Sequence, residues 1–488
     1  MKQLIYFLLL AAALPCAPLA AQSMDRHVVS INVITQKFDY GSPWQKGEIV
    51  RSTIGGCVIE GNRIVTVSYS LANHVLVEVM KKGEARKYPA EVVVKDYHTG
   101  LAVLKVADPD FFKDLAPVAF SREGRIIGRT GSVYRWDANI SLKEYAVGLN
   151  KTSIRFYEPN CGVLMHQFST VMNEGGNGDP VFIDGTLVGI ATGLSTENKT
   201  LFAISADLVD RLQKDLANGQ YEGMPFFWID TVDIGNDVNL RKYLGMTDAE
   251  SGVLVTEVPS VSSGSGILRK NDVILSINGT AIDDSGMYES PRHGRLYFYG
   301  LIQIDKFVGD EIAMNVLRDK KRTEVRFKLK AIPPDCCVIP LISYDLQPRY
   351  FVYGGLVFQE LTMGYFESWG NEWKQKGDKR LLAMYDGIKS IASEGAVNRI
   401  VILNRVLPDT VNQGYQFQGN LVLRKVNGVA IKDIGHMRSV IAASNARYVM
   451  LEFAGDVSIV LDRQAAADGE KELLRKYNIN APYNTTGE

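Results

Sequence analysis

Short runs of alternating apolar and polar residues, rich in β-branched side chains, dominate the chain from Val28 to Ile204. Gly, Asn and Asp separate these runs at a regular spacing, which is typical of antiparallel strands joined by turns. The clearest runs span residues 58–59, 63–67, 75–79, 90–94 and 101–106. The pattern therefore predicts a β-sandwich or β-barrel in this part of the chain.

The hydrophobic period changes after this region. Leu208, Leu212 and Leu216 recur every four residues within 205–216, which predicts a helix with one apolar face. Asn218-Gly219 ends the periodic segment, and Gly and Pro lie in the connection that follows. We therefore predict a domain boundary there.

Two later segments repeat one pattern. In 252–279 and again in 399–428, one apolar strand leads to a second strand that ends in Asn-Gly. This dipeptide is the strongest short-range hairpin signal, because both of its residues accept the positive φ of a type I′ turn. Helices are predicted at 434–443 and 465–477. The repeat predicts two related domains, joined by a segment at 332–340 that contains Pro and Cys.

The first residues have the pattern of a secretory signal. Met1-Lys2 supplies a positive start, residues 4–14 are apolar, and small residues lead to Ala21. Because the apolar run is too short to span a bilayer, we predict cleavage near Ala21, export to the periplasm or the extracellular space, and no transmembrane segment in the mature chain. A buried N-terminal helix is the alternative interpretation.

Composition narrows the possible functions. The chain has 54 basic and 55 acidic residues, a net charge of −1, without the basic excess that nucleic-acid binders carry. It has six histidines and neither HExxH nor CxxC, so no metal or other cofactor is predicted. An exported protein can form disulfides between its cysteines, and buried free thiols are the alternative. The sequence does not choose a disulfide pairing. The cysteines after the signal are Cys57, Cys161, Cys336 and Cys337.

Three segments resemble those that carry the active site in the secreted trypsin-like Deg/HtrA proteases. Residues 63–72 are similar to the strand and turn of the catalytic histidine, 95–106 to the aspartate segment, and 174–190 to the serine loop and its hairpin. The Asn-Gly repeats resemble the PDZ modules of this family, and 236–241 and 412–415 resemble its plant-type branch.

The resemblance implies a mainly β protein: a trypsin-like double β-barrel followed by two PDZ-like α+β domains. The implied organisation is a signal peptide (1–21), a degenerate protease domain (24–218), PDZ-like domains at 225–332 and 338–465, and a helical tail at 466–488.

All three triad positions depart from the family. Aligned with it, the sequence has Tyr69 in place of the histidine, Gly100 in place of the aspartate and Asn177 in place of the serine. An amide is not a competent nucleophile, a tyrosine with a pKa near 10 is a poor base, and glycine orients nothing. We therefore predict no catalytic residues and interpret the chain as a pseudoprotease.

A displaced site is the alternative. His74 and His98 lie near the aligned triad positions in the sequence. Because alternate residues of a strand face opposite sides, a shift of register along the strand does not bring either histidine into the catalytic pocket of the family. Cys161 is a possible nucleophile, yet no histidine close to it in sequence is placed to activate it.

The serine loop is expected to keep only a remnant of its oxyanion site. The residues concerned are Gly175, Asn177 and Asp179. Asp179 stands where the family has glycine, and its carboxylate competes for the amide donors of the loop. We predict a collapsed pocket in which Asp179 or the Asn177 amide caps local N–H groups and Tyr69 fills the histidine's space.

Binding is the function that the resemblance leaves. PDZ modules add a peptide as an extra strand at a sheet edge, and the two candidate segments are Phe227-Trp228-Ile229 and Gly354-Gly355-Leu356. Trp228 replaces a glycine that the family uses for carboxylate capture, so core packing is the alternative there, and a simple turn is the alternative for Gly354-Gly355. The aromatic segment 365–373 could bind a partner protein. We favour the alternative, an irregular segment whose aromatic side chains pack on the core.

These inferences predict an exported, non-catalytic factor that binds proteins or peptides through its PDZ-like domains, with a scaffold or quality-control role and possible homo-oligomers. Two alternatives stay open. One is an active endopeptidase of serine type or with a rearranged site, and the other is a structural subunit whose PDZ-like domains serve only its own oligomer.

Overall fold

The computed structural model describes residues 24–82, 84–120, 124–137, 141–157, 161–333, 337–386 and 398–487. The predicted signal peptide and Cys336 lie outside these residues. The other three cysteines after the signal, Cys57, Cys161 and Cys337, are buried and free.

Six antiparallel strands close a first barrel. Their order around it is β1-β2-β3-β6-β5-β4, and each predicted β-run lies within one of them. The strands are β1 (Val28–Phe38), β2 (Lys46–Ile59), β3 (Arg63–Val67), β4 (His74–Met80), β5 (Tyr88–Asp96) and β6 (Leu101–Val106). The core of the barrel is mainly Val, Ile and Leu, which fit a pleated, buried surface.

A second six-stranded barrel follows and ends in the predicted helix. Its order is β10-β11-β12-β9-β8-β7. The elements are β7 (Thr130–Trp136), β8 (Leu142–Tyr157), β9 (Cys161–Thr170), β10 (Pro180–Ile183), β11 (Thr186–Ser195), β12 (Thr200–Ser205) and α1 (Ala206–Asp215). Leu208 and Leu212 of α1 are buried. The Trp136 Nε1–H of β7 donates to the Val28 carbonyl of β1 at 3.1 Å and so joins the barrels.

The central part of the chain forms an open sheet in the order β13-β14-β15-β19-β20, with β16 on β15 and a separate β17–β18 hairpin. The strand β13 is therefore an edge. The elements are β13 (Asp230–Asp233), α2 (Val238–Leu244), β14 (Val253–Glu257), β15 (Val273–Ile277), β16 (Thr280–Ala281), β17 (Met287–Ser290), β18 (Gly294–Tyr297), α3 (Gly300–Gln303), β19 (Glu311–Arg318) and β20 (Lys321–Lys328).

The last part forms a larger sheet in the order β27-β26-β24-β23-β22-β21-β28, with β25 on β24. Its strands are β21 (Tyr350–Tyr353), β22 (Leu356–Glu360), β23 (Val401–Val406), β24 (Leu421–Val426), β25 (Val429–Ala430), β26 (Tyr448–Phe453), β27 (Ser458–Asp462) and β28 (Tyr483–Asn484). Its helices are α4 (Met363–Glu367), α5 (Trp373–Lys376), α6 (Lys379–Asp386), α7 (Ile434–Ala443) and α8 (Arg463–Lys476).

Both predicted Asn-Gly hairpins are confirmed. Asn278 and Asn427 have φ of 47° and 48°, and each is followed by a glycine with positive φ. These turns join β15 to β16 and β24 to β25. The mainly β class with two barrels is likewise confirmed. The sequence pattern could predict it because the side-chain period of two fixes which face of each strand is buried.

The aromatic segment 365–373 packs inward. Tyr365 and Phe366 are buried, and the Trp369 and Trp373 rings contact Phe366 at centroid distances of 5.7 Å and 5.3 Å. The segment is thus held to the core of the last sheet, as we favoured from the sequence. Within the described ranges, no helix is long and apolar enough to cross a membrane.

A buried contact between a histidine and a carboxylate holds the β17–β18 hairpin against the second barrel. His293 Nε2 lies 3.0 Å from Asp207 Oδ2, and both side chains are almost wholly buried. Burial alone would raise the pKa of the Asp207 carboxyl. The hydrogen bonds and charges of its neighbours, among which His293 contributes most, outweigh burial and lower this pKa below its ordinary range. The central sheet is therefore fixed to the barrels by more than its covalent connection.

Candidate functional site

The three positions that the sequence resemblance aligns with the triad lie on loops of the two barrels. Tyr69 begins the 3-10 turn after β3, Gly100 precedes β6, and Asn177 precedes β10. Tyr69 and Gly100 are adjacent: a Cβ built on Gly100 would lie 3.6 Å from Tyr69 Cε2. Asn177 lies in the facing loop, where its carbonyl accepts a hydrogen bond from the Gly55 N–H at 2.9 Å.

Tyr69 is committed to a structural hydrogen bond. Its hydroxyl donates to the Tyr97 carbonyl at 2.6 Å. Desolvation first, and the neighbouring Tyr344 second, raise the pKa of Tyr69 above its ordinary value, although 45% of the side chain remains exposed. At neutral pH the group is therefore a protonated donor and not a base.

Gly100 has a left-handed conformation that suits glycine. Its φ is +82°, its N–H donates to the Asp96 carbonyl at 2.9 Å, and its carbonyl accepts from the Ser68 N–H at 2.8 Å. An added Cβ would also approach Ile204 Cδ1 to 3.1 Å. A carboxylate at this position would thus be strained in its backbone and crowded in its side chain.

The nearby titratable groups are engaged elsewhere. The Asp96 carboxylate caps its own loop, accepting from the His98 N–H at 2.9 Å and from the Thr99 hydroxyl at 2.5 Å. His74 Nδ1 lies 3.2 Å from the Leu71 carbonyl. Burial lowers the pKa of His98. These contacts are structural and do not form a relay towards Asn177.

Cys161 is a poor nucleophile in this setting. It is buried, and desolvation raises the pKa of its thiol. His166 is also fully buried, with its Nδ1 2.9 Å from the Thr152 hydroxyl, and burial lowers its pKa to about 3. The thiolate that nucleophilic chemistry needs is therefore disfavoured.

The loop around Asn177 keeps a glycine-dependent shape. Gly175, Gly176 and Gly178 have φ of +93°, +88° and +77°. The Gly176 N–H donates to Asp179 Oδ2 at 2.9 Å, and the Gly178 N–H donates to the Ala191 carbonyl at 2.8 Å. The Asp179 carboxylate thus occupies the Gly176 N–H, which is one of the amide donors of this loop.

Asp179 fills space between the barrels. Only 2% of it is exposed, and a Cβ on Gly55 would lie 2.4 Å from its Oδ1. Desolvation raises its pKa to about 6, against the lowering effects of the Gly176 N–H and of Arg135. The cavity that remains beside Arg135 and Asn177 measures about 50 Å³, which is room for a water or a small group and not for a peptide side chain of ordinary size.

A segment between the two sheets covers the Tyr69 side of the cleft. The Tyr344 ring stands perpendicular to Tyr69 at 5.8 Å and lies 5.0 Å from Tyr97. Asp345 Oδ1 accepts from the Asn73 N–H at 2.7 Å, and the Asp345 N–H donates to Asn73 Oδ1 at 3.0 Å. We call Tyr344 and Asp345 the cleft clamp.

The clamp carboxylate has two further partners. Asp345 Oδ2 accepts from the Tyr97 hydroxyl at 2.5 Å and lies 2.5 Å from Lys95 Nζ. Desolvation would raise the pKa of Asp345, but the hydrogen bonds from Lys95 and Tyr97 outweigh it and lower the pKa. Sequence reasoning missed this contact, because nothing in the local pattern around 344–345 marks it.

The first predicted peptide segment is buried. Phe227, Trp228 and Ile229 all lie in the core, and Phe227 stacks on Phe327 at a centroid distance of 5.7 Å. The Trp228 N–H donates to the Ser262 hydroxyl at 3.1 Å, and the Ile229 N–H donates to the Tyr299 hydroxyl at 3.2 Å. These two amides are therefore already occupied, while β13, which follows directly, is a free sheet edge.

The second predicted segment is a hairpin inside a sheet. Gly354-Gly355 turns from β21 into β22, and the Gly354 carbonyl accepts from Asn412 Nδ2 at 2.9 Å. The strand that begins with Leu356 is paired on both sides, with β21 and with β23. A peptide therefore has no free edge beside Leu356, which corrects the expectation of strand addition at this segment.

Comparison with known proteins agrees with this architecture. Residues 339–485 match a PDZ domain model. The chain is 27% identical to "Protease Do-like 2, chloroplastic" of Arabidopsis thaliana, over 90% of this chain and 72% of that protein. It is 24% identical to "Probable periplasmic serine endoprotease DegP-like" of a Marinomonas strain, over 78% of this chain and 81% of that protein. Among solved structures, the HtrA-type protease AlgW with tripeptide has a TM-score of 0.48 and 19% identity, covering 62% of this chain and 94% of that one.

The two closed barrels, the open sheets and the PDZ match define a trypsin-like double barrel joined to PDZ modules. Over most of its length the chain is similar to Do-like and DegP-like proteases, and its last sheet matches a PDZ domain model. This similarity does not decide catalysis, which depends on the side chains that the chain itself has at positions 69, 100 and 177.

We expect Asp179→Asn to change the pH dependence of stability. A carboxyl whose pKa is near 3.8 in the unfolded chain and about 6 in the folded one makes folding less favourable as pH rises between those values. Relative to the Asp179→Asn variant, the native chain should lose about 2 kcal/mol of unfolding free energy from pH 4 to pH 7, at 1.36 kcal/mol per pKa unit.

Chemical denaturation of both proteins across that range measures the difference. Asp456→Asn, in the exposed turn after β26, is the matched control and should not alter the pH profile. Parallel profiles for the native chain and the Asp179→Asn variant would contradict the assignment.

Proposed function

We propose that the chain is an exported, non-catalytic member of the Deg/HtrA family that binds proteins or peptides. The single observation that carries the non-catalytic part is Tyr69, whose hydroxyl is hydrogen-bonded to the Tyr97 carbonyl where the family has its histidine. Acyl transfer needs a nucleophile, a base and a group that orients the base. The residues aligned with these roles supply none of them.

The cleft clamp supports this proposal. Tyr344 packs edge-on against Tyr69, and the Asp345 carboxylate connects the segment to Asn73, Tyr97 and Lys95. A productive substrate must approach the nucleophile and the base within hydrogen-bonding distance. In this structure, a substrate that approaches Tyr69 would contact the side chains of Tyr344 and Asp345.

We further propose that β13 is the binding edge of the central PDZ-like sheet. Within the described part of the chain it pairs with β14 alone, and 43% of Val232 is exposed on it. Strand addition draws its affinity from the main-chain groups of such an edge. Because the Trp228 and Ile229 amides are occupied, we infer that an internal extended segment suits this edge better than a free C-terminus does.

Export is proposed from the N-terminal pattern. One relative is named as periplasmic and others as chloroplastic or mitochondrial. The positive start and the short apolar run favour secretion for this chain.

We expect the purified chain to be catalytically inert. It should neither degrade unfolded casein nor react with a fluorophosphonate probe, because Asn177 has no nucleophilic oxygen to acylate. Asn177→Ser should stay inert as well, since Tyr69 and Gly100 supply neither base nor orienting group. The triple change Tyr69→His, Gly100→Asp, Asn177→Ser should also fail, because Gly100 has a φ of +82° and Asp179 blocks the loop.

An active Deg/HtrA protease run in parallel is the control. Probe labelling of the native chain that a single serine substitution abolishes would establish a rearranged endopeptidase and overturn the proposal.

We expect Val232→Glu to weaken peptide binding at least tenfold, since it places an unpaired charge beside the edge that the added strand must pair with. Peptides selected from a random display library on the full chain would be titrated against both proteins. Val171→Glu is the matched control, because Val171 is 79% exposed and lies on a barrel loop. Equal affinities for the native chain and the Val232→Glu variant would exclude β13 as the binding edge.

A further inference from the structure

The small cavity between the barrels has an arginine in its wall. The cavity measures about 50 Å³ and is lined by Arg135 and Trp136 of β7, by Gly55 of β2 and by the loop around Asn177. The Arg135 guanidinium packs across Gly175 of this loop, and a Cβ built on that glycine would lie 2.9 Å from Arg135 Cζ. Only a glycine at position 175 therefore leaves room for the arginine.

The Arg135 guanidinium donates no hydrogen bond to any residue that the structure describes. Its Nη1 is shielded from solvent and has no acceptor. The nearest carboxylate oxygen, Glu174 Oε1, lies 3.7 Å from Nη1, which is too far for a hydrogen bond. Because a buried donor without an acceptor costs free energy, this cation indicates an acceptor that the chain itself does not supply.

Two backbone donors in the residues that line the cavity are also unoccupied. Within the described ranges, neither the Gly175 N–H nor the Asn177 N–H donates to an acceptor of the chain. The Gly176 N–H between them is the one that Asp179 occupies. Backbone N–H groups in such loops stabilise a bound anion, so the wall of the cavity combines a cation with two further donors.

The charge of Asp179 decides whether an anion can enter. Asp179 lines the same cavity, so its ionised carboxylate would repel a negative ligand there, whereas its neutral carboxyl would not. The other charged groups at the cavity are Arg135 of β7 and Glu174 of the loop itself, and residues 53–55 of β2 are uncharged. A proton on Asp179 therefore leaves the Arg135 charge free to bind an anion.

We propose that this cavity binds a small monovalent carboxylate, of the size of formate or acetate, on the Arg135 guanidinium, and that Asp179 takes up one proton as the ligand enters. A guanidinium presents parallel N–H donors that match the two oxygens of a carboxylate. A volume of about 50 Å³ admits a ligand of a few heavy atoms and excludes a peptide side chain of ordinary size. The site requires neither catalysis nor peptide binding.

The proposed site has a characteristic pH dependence. Burial raises the pKa of Asp179 to about 6, so the protonated fraction of this carboxyl rises steeply from pH 7.5 to pH 5.5. For a ligand that binds only the protonated form, the apparent dissociation constant should fall about twentyfold over this range, because it varies inversely with the protonated fraction. Binding to Arg135 alone would not change in this way, since a guanidinium stays charged throughout.

Saturation-transfer difference NMR of the full chain, with sodium acetate as the probe at constant ionic strength, tests the site. The native chain should bind acetate at least tenfold more tightly at pH 5.5 than at pH 7.5. Asp179→Asn removes the competing charge, so this variant should bind acetate equally well at both pH values. Benzoate is too large for the cavity and should show no binding that depends on Arg135.

Arg135→Gln should weaken acetate binding at pH 5.5 at least tenfold, because it removes the cation. Arg129→Gln, which removes an exposed arginine just before β7, is the matched control and should bind acetate as the native chain does. Far-UV circular dichroism checks folding, and if Arg135→Gln does not fold, the pH dependence of the native chain and its loss in Asp179→Asn decide the outcome. A native chain that does not bind acetate at pH 5.5, an affinity that does not change with pH, a pH dependence that persists in Asp179→Asn, or unchanged binding by a folded Arg135→Gln would each overturn the proposal.

Discussion

The Asp345 carboxylate holds together parts of the chain that the sequence keeps far apart. It accepts from the Asn73 N–H and the Tyr97 hydroxyl and pairs with Lys95, so the segment between the two sheets is bound to both loops that flank Tyr69. Charge-assisted hydrogen bonds of this kind are stronger than neutral ones, and a half-buried carboxylate with several donors keeps its negative charge. The position of Tyr344 over Tyr69 follows from this anchor.

A second carboxylate, that of Asp179, fills the pocket between the barrels on the side that faces away from Tyr344. Asp179 occupies the space beside Gly55 and takes the Gly176 N–H, although burial disfavours its charged form. Tyr69 and Asp179 thus satisfy local polar groups: the Tyr97 carbonyl and the Gly176 N–H. The positive φ of Gly175, Gly176 and Gly178 gives the loop a backbone that favours glycine, and Asp179 packs within this loop against Gly55.

The regular elements could be predicted from the sequence because they depend on local periodicity. Alternating β-branched runs indicated the barrel strands, and the helix 434–443 and both Asn-Gly hairpins occur where the pattern predicted them. Single long-range contacts have no such signature. Asp345 and Asn73 are separated by 272 positions, and the insertion of β21 beside β22, which removes the free edge at Leu356, depends on tertiary packing and not on local pattern.

Hydrogen exchange tests the closed cleft most directly, because the Asn73 amide donates to Asp345 itself. Mass spectrometry of the native chain, Asp345→Ala and the control Asp456→Ala would follow the segments 69–73 and 96–100. We predict that Asp345→Ala speeds exchange in both segments at least tenfold while the control leaves them unchanged. Unaltered protection in the Asp345→Ala protein would show that Asp345 does not hold the two segments.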